Sequence, residues 1–113
     1  MKEIKPQEVW KAYFPFSDES GIVKYRPVIV IDVDEDSAMV LSIMITSHKP
    51  RFDEYDIELY DWADIPLDHV STARVSRNAL IPKEDFDKKI GKLTDDDWEN
   101  IIDLYMRWVE YNS

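Results

Sequence analysis

The residues best suited to chemistry sit where apolar runs begin or end. Lys24 and Arg26 precede "PVIVIDV", the run Thr46, Ser47 and His48 closes "AMVLSIMIT", and Arg74 and Arg77 punctuate "STARVSRNALI". An arginine beside a hydroxyl stabilises negative charge on a phosphate or a carboxylate. By residue type alone, Arg26 is equally a surface cation at a strand entry and Thr46 a strand-terminal β-former, so both readings stand at this point. The two histidines, His48 and His69, lie among acids but form no HxH or HExxH spacing, and no metal site is expected. With two glycines in the whole chain, no glycine-rich phosphate loop can form; GxGxxG and GxSxG are absent, and no cofactor is implied. "DVDEDS" has the start of a calcium loop without its sixth-position glycine or distal glutamate, and reads as a solvated turn.

These side chains must be positioned by strands. "EVWKAYFPF" alternates Val9, Lys11 and Tyr13 with Trp10, Ala12 and Phe14, a period-2 pattern that predicts a first strand ending near Pro15. After the "SDESG" turn cluster, the unbroken Val28–Ile31 run predicts a second strand buried on both faces. "DEDS" is a turn with no glycine to ease it, and "AMVLSIMIT" follows as the third strand. Pairing 27–33 with 39–45 around that turn brings Arg26 close to Thr46. "DIELYDW" and "STARVSRNALI" read as strands four and five.

The period then changes. "PKEDFDKKIG" has Pro82 at its start, acids early, lysines late and Gly91 as a stop, which predicts a short helix over about 83–90. Thr94 as N-cap, three aspartates in the first turn, and Trp98, Ile101, Ile102, Tyr105, Trp108 and Val109 at three- and four-residue steps predict an amphipathic helix over about 95–110. The expected architecture is one α+β domain over 1–113, mainly β. A small antiparallel barrel or curved sheet occupies about 5–81, with helical elements after it.

Composition fits that size. The 113 residues are 44% hydrophobic with four Trp, six Tyr and four Phe, enough for a packed core despite a net charge of −10. The absence of cysteine excludes a disulfide framework, thiol catalysis and cysteine metal ligands. No apolar run approaches ~18 residues and the start lacks a signal-peptide core, so the expectation is a cytoplasmic protein with no membrane partner. The acidity is concentrated: residues 31 to 70 hold eleven Asp/Glu against two Lys/Arg. Such a field repels a nucleic-acid backbone at long range, so any nucleic-acid contact has to rest on local cations.

Taken in order, "KPQEVWKAYFPFSDESGIVKYRPVIVI", "IMITSH", "IELYDW" and "STARV…KKIGKLTDDDWENII" resemble the PemK/MazF (Kid-like) toxins of type II toxin-antitoxin systems, from about Lys5 to Val109. The resemblance implies an SH3-like barrel with a C-terminal helix, a homodimer, a cognate antitoxin as partner, and metal-independent endoribonuclease activity on single-stranded RNA. In that chemistry the ribose 2′-OH attacks its own phosphate and leaves a 2′,3′-cyclic phosphate and a 5′-OH. The arginine and threonine of the MazF-like branch match Arg26 and Thr46, which makes them the expected catalytic pair. The Kid-like branch uses an arginine and an aspartate that match Arg74 and Ser76.

Three departures from the family pattern bear on function. Ser76 is no carboxylate and cannot act as a base, Gln7 stands where the family has glycine, and "DIPLDHVS" adds Asp68 and His69, the latter a candidate base. Lys24, Ser47, His48, His69, Arg74, Ser76 and Arg77 are the expected substrate-binding residues. A positive groove built from Lys24, Arg26, Lys49, Arg51, Arg74 and Arg77 goes with a ribonuclease. Carboxylates set among these cations go with the alternative, a catalytically inactive PemK-like module that binds a protein partner.

Overall fold

The computed structural model describes residues 3–14, 25–46, 54–59 and 71–113. Six strands form one antiparallel sheet: β1 (Glu8–Tyr13), β2 (Tyr25–Asp34), β3 (Met39–Thr46), β4 (Asp56–Glu58), β5 (Thr72–Pro82) and β6 (Phe86–Lys92), in the spatial order β4-β5-β3-β2-β1-β6. Among the described residues one α-helix, α1 (Asp95–Tyr111), follows the last strand. The mainly β architecture with a C-terminal helix is the one the sequence predicts.

Strand β2 is buried on both faces, as its unbroken apolar run requires. Val28 and Val30 pack with Trp10, Ala12, Phe14, Met44, Ile81 and Phe86, while Ile29 and Ile31 pack with Val9, Ile43, Ile45, Val75 and Ile101 of α1. The sheet therefore carries one core on each side, and α1 closes the second. Trp98, Ile102, Tyr105 and Trp108 join that core as their spacing predicts, with Leu104 in addition. The Thr94 hydroxyl accepts the Asp97 backbone N–H at 3.2 Å, which satisfies one free donor at the helix start. Among the described residues no helix is long and apolar enough to cross a membrane.

The glycine-free turn between β2 and β3 is held by local bonds. Asp34 Oδ1 accepts from the backbone N–H groups of Asp36 at 3.0 Å and Ser37 at 3.4 Å, and Ala38 takes the left-handed conformation at φ 57°. Bonding from the Ser37 side chain, then from the Ser37 and Asp36 backbone, holds the Asp34 carboxyl below its ordinary value. Gln7, at φ 76°, explains a departure from the family pattern, because the backbone there needs the region that glycine enters at no steric cost. Its side-chain amide offsets the strain by donating to the Leu93 carbonyl at 2.8 Å and to Asp95 Oδ1 at 2.9 Å, joining the start of β1 to the start of α1.

The helix expected over 83–90 is corrected. Lys83–Asp85 form one 3-10 turn and Phe86–Lys92 run as an edge strand on β1, with Gly91 paired to Val9 rather than ending a helix. The open edge of β1 decides this, since a strand there can pair its backbone and bury Phe86 edge-on to Trp10 at 6.0 Å. The Glu8 carboxylate fastens the same edge. It is buried, and it accepts from the Trp10 indole N–H at 3.0 Å and the Lys5 backbone N–H at 2.9 Å while pairing with Lys89 at 2.8 Å.

Candidate functional site

The β2–β3 ladder pairs Val28 with Met44 and Ile29 with Ile43. Carried two residues toward the strand ends, that register sets Arg26 opposite Thr46, as the hairpin pairing predicts. Pro27 lies between them and Val28 and offers no backbone donor. On the other side of each residue the neighbours are fixed: Arg26 faces Ala12 on β1, Thr46 faces Thr72 on β5, and Thr72 faces Glu58 on β4. One row thus crosses five strands in the order Ala12, Arg26, Thr46, Thr72, Glu58.

The row belongs to the face opposite α1: Ile45, Ala73 and Ile57, one position along on their strands, and Ile29, three positions from Arg26, pack on the helix side, while Ala12 packs in the other core. Thr46 and Thr72 are buried, whereas Arg26 and Glu58 are half-buried. Two charged side chains of opposite sign therefore flank two hydroxyls. Ala12 beside Arg26 adds no bulk that would crowd the guanidinium.

The neighbouring row, two residues inward, holds Asp56, Arg74 and Met44. Arg74 Nε lies 3.4 Å from Asp56 Oδ1, with the carboxylate side chain 2% exposed. Out of water, each of these charges requires the other, so the guanidinium is committed to its partner. Beyond it, β5 bulges away from β3 between Asn78 and Arg74. The bulge carries half-buried Ser76 and exposed Arg77, and the Asn78 side-chain amide bridges it by donating to the Val75 carbonyl at 2.8 Å.

Of the predicted site residues, Arg26 and Thr46 fall opposite each other when the β2–β3 register is extended from Val28–Met44, Arg74 lies one row inward in an ion pair with Asp56, and Ser76 and Arg77 sit further along β5. Lys24, Ser47, His48 and His69, with Lys49, Arg51 and Asp68, lie outside the described residues. Among the described residues no three His, Asp or Glu side chains converge in the manner of metal ligands. Thr72, Glu58 and the Asp56 partner of Arg74 escaped the sequence reading. Their signal was the period-2 parity of "DIE" against "TAR", which puts Asp56 and Glu58 on the face of Thr72 and Arg74 once the two strands are paired. Asp56 and Glu58 also place carboxylates beside the cations expected to form a positive groove.

A family model described as PemK-like, MazF-like toxin of type II toxin-antitoxin system matches residues 5–104. An endoribonuclease from a mycobacterial species has the same fold at TM-score 0.73 and 12% identity, covering 97% of this chain and 94% of that one. The Mycobacterium tuberculosis toxin MazF-mt6 is similar at TM-score 0.71 and 18% identity, covering 91% of this chain and 96% of that one. A mycobacterial endoribonuclease in complex with its cognate antitoxin is similar at TM-score 0.72 and 12% identity, covering 96% of each chain. No curated protein matches in sequence.

Proposed function

The chain belongs to the PemK-like, MazF-like toxins of type II toxin-antitoxin systems, and from that premise we propose that it is a toxin endoribonuclease that cleaves single-stranded RNA without a metal. The observation that carries this reading is the β2–β3 register, which, extended from Val28–Met44 to the strand ends, sets Arg26 opposite Thr46 on the face away from the helix. The ribose 2′-OH attacks the adjacent phosphorus, the bond to the 5′-oxygen breaks, and the products end in a 2′,3′-cyclic phosphate and a 5′-OH. Arg26 meets the dianionic phosphorane with a planar, permanently charged donor set, and Thr46 orients the phosphate from the adjacent strand. Exposed Arg77 and half-buried Ser76 contact the flanking strand of RNA, together with Lys24, Ser47, His48 and His69. Arg74 contributes positive charge from within its pair with Asp56.

The active form is a homodimer restrained by a cognate antitoxin, a partner supported by the mycobacterial relative solved with its own. The Asp56 and Glu58 carboxylates favour a second reading, a catalytically idle domain that uses the same face to hold a protein. Incubating the protein with a mixed pool of single-stranded RNA in the presence of EDTA separates the two. The ribonuclease reading expects cleavage that is lost in Arg26→Ala and Thr46→Ala. Cleavage equal to wild type in both variants overturns the assignment, and intact RNA with wild-type protein moves it to the interaction module.

A further inference from the structure

Arg26 and Thr46 leave one step of the proposed reaction without an agent. The 2′-OH must lose a proton, a guanidinium has no acceptor site to take it, and a neutral threonine is a poor base. The β5 position at which the resemblance implies an aspartate holds Ser76, which offers no carboxylate. The row across the sheet supplies one from the next strand. Glu58 stands opposite Thr72, which stands opposite Thr46, and the register is pinned at both ends of β4 by Leu59 N–H to the Ser71 carbonyl and Val75 N–H to the Tyr55 carbonyl, each at 2.9 Å.

Two further observations single out this row. Thr72 is 1% exposed and its hydroxyl has no hydrogen-bond partner, a costly condition that a substrate oxygen or bound water relieves. Among the described residues the Glu58 side chain makes no hydrogen bond or ion pair, in contrast to Asp56, whose carboxylate is committed to Arg74. Three strand spacings separate the backbones of Arg26 and Glu58, about 15 Å in all. Extended toward each other across the threonines, side chains of these lengths would span roughly 6 and 4 Å by standard bond lengths, which leaves about 5 Å of that separation, the size of one phosphodiester group.

Resting on the ribonuclease reading, we infer that Glu58 is the general base of the reaction and that Thr72 is a second hydroxyl beneath the reacting phosphate. The 2′-OH proton passes to the Glu58 carboxylate as its oxygen bonds to phosphorus. The phosphorane charge is held by Arg26 with Thr46 and Thr72, the bond to the 5′-oxygen breaks, and that oxygen takes a proton from water. The hydroxide so formed removes the proton from Glu58 and restores the carboxylate.

Single-turnover cleavage of a single-stranded RNA tests this, paired with binding of the same RNA carrying one 2′-deoxy nucleotide at the cut. Glu58→Gln is expected to lower the rate at least about 100-fold, the usual range for a general base. Its affinity for the uncleavable RNA and its melting temperature should match wild type, since the side chain has no partner to lose. Glu58→Asp keeps the charge and controls for folding; it should retain more activity than the glutamine variant. Thr72→Val, of the same shape, should cost about tenfold in rate. Glu58→Gln cleaving within threefold of wild type overturns the inference while leaving the ribonuclease reading in place. Loss of RNA binding in parallel with loss of cleavage also overturns it, because Glu58 then acts on affinity. Wild-type protein that cleaves no RNA overturns both.

Discussion

Replacing Glu8 by glutamine isolates what one buried charge contributes to the edge of the sheet. In Glu8→Gln the amide oxygen can keep the two neutral donors, Trp10 Nε1–H and the Lys5 backbone N–H, but its NH2 then faces the Lys89 ammonium, donor against donor. A charge-assisted hydrogen bond contributes roughly 1.5–3 kcal/mol. The Lys89 side chain is 49% exposed and can turn to water, which puts the expected loss toward the low end, about 2 kcal/mol. In a domain of this size that lowers Tm by roughly 8 °C. Burial pushes the Glu8 carboxyl up, but bonds from Lys89, Trp10 and Lys5, with the charge of Lys89, outweigh it and hold the group below its ordinary 4.5. A folded-state value lowered in this way means the stabilisation is complete above 4.5 and is lost as pH falls through the folded value. Thermal melts of both proteins at pH 7 and pH 3 should therefore show a gap that narrows at the lower pH. A gap of equal size at both, or none at pH 7, refutes the electrostatic account.

Two further outcomes follow from backbone strain and buried charge. Gln7→Ala keeps the left-handed backbone and loses both side-chain bonds, so it should destabilise by about 1.5 kcal/mol, while Gln7→Gly regains about 1 kcal/mol of that by relieving φ; urea midpoints rank the three proteins, and an alanine variant as stable as the glycine one contradicts the strain at φ 76°. Asp56→Ala strands the Arg74 guanidinium and should cost about 3 kcal/mol in the same titration, against which an unchanged midpoint would show that the pair is not held out of water.

The sequence made Arg26 and Thr46 legible as a pair because a tight turn lies between their strands. Once residues 34–38 reverse the chain, counting from the turn fixes who faces whom to within one residue, and a bulge between Val30 and Asp32 moves the ladder from Val33–Val40 to Val28–Met44. Glu58 and Thr72 had no such ruler, since the connection between β4 and β5 is long and parity alone does not set a register. The edge strand β6 was misread for a different reason. Phe86 and Ile90 are four apart, which suits a helix face, and acids before lysines imitate a helix dipole pattern; only the unpaired edge of β1, a tertiary fact, selects the strand. Gln7 shows the same limit at one residue, because its strained backbone is visible in sequence only as the loss of a glycine, while the bonds to Leu93 and Asp95 that hold it come from the far end of the chain. The C-terminal helix was the most legible element, since its cap, its charges and its stripe all pointed to the same structure.

The central claim is that Arg26 and Thr46 direct metal-free attack of a ribose 2′-OH on its own phosphate. The ends of the RNA fragments test it most directly: with EDTA present, mass spectrometry of the products should find 2′,3′-cyclic phosphate on one fragment and 5′-OH on the other, and no fragments from Arg26→Ala. Fragments ending in 5′-phosphate, or the same fragments at the same rate from Arg26→Ala, would contradict the account.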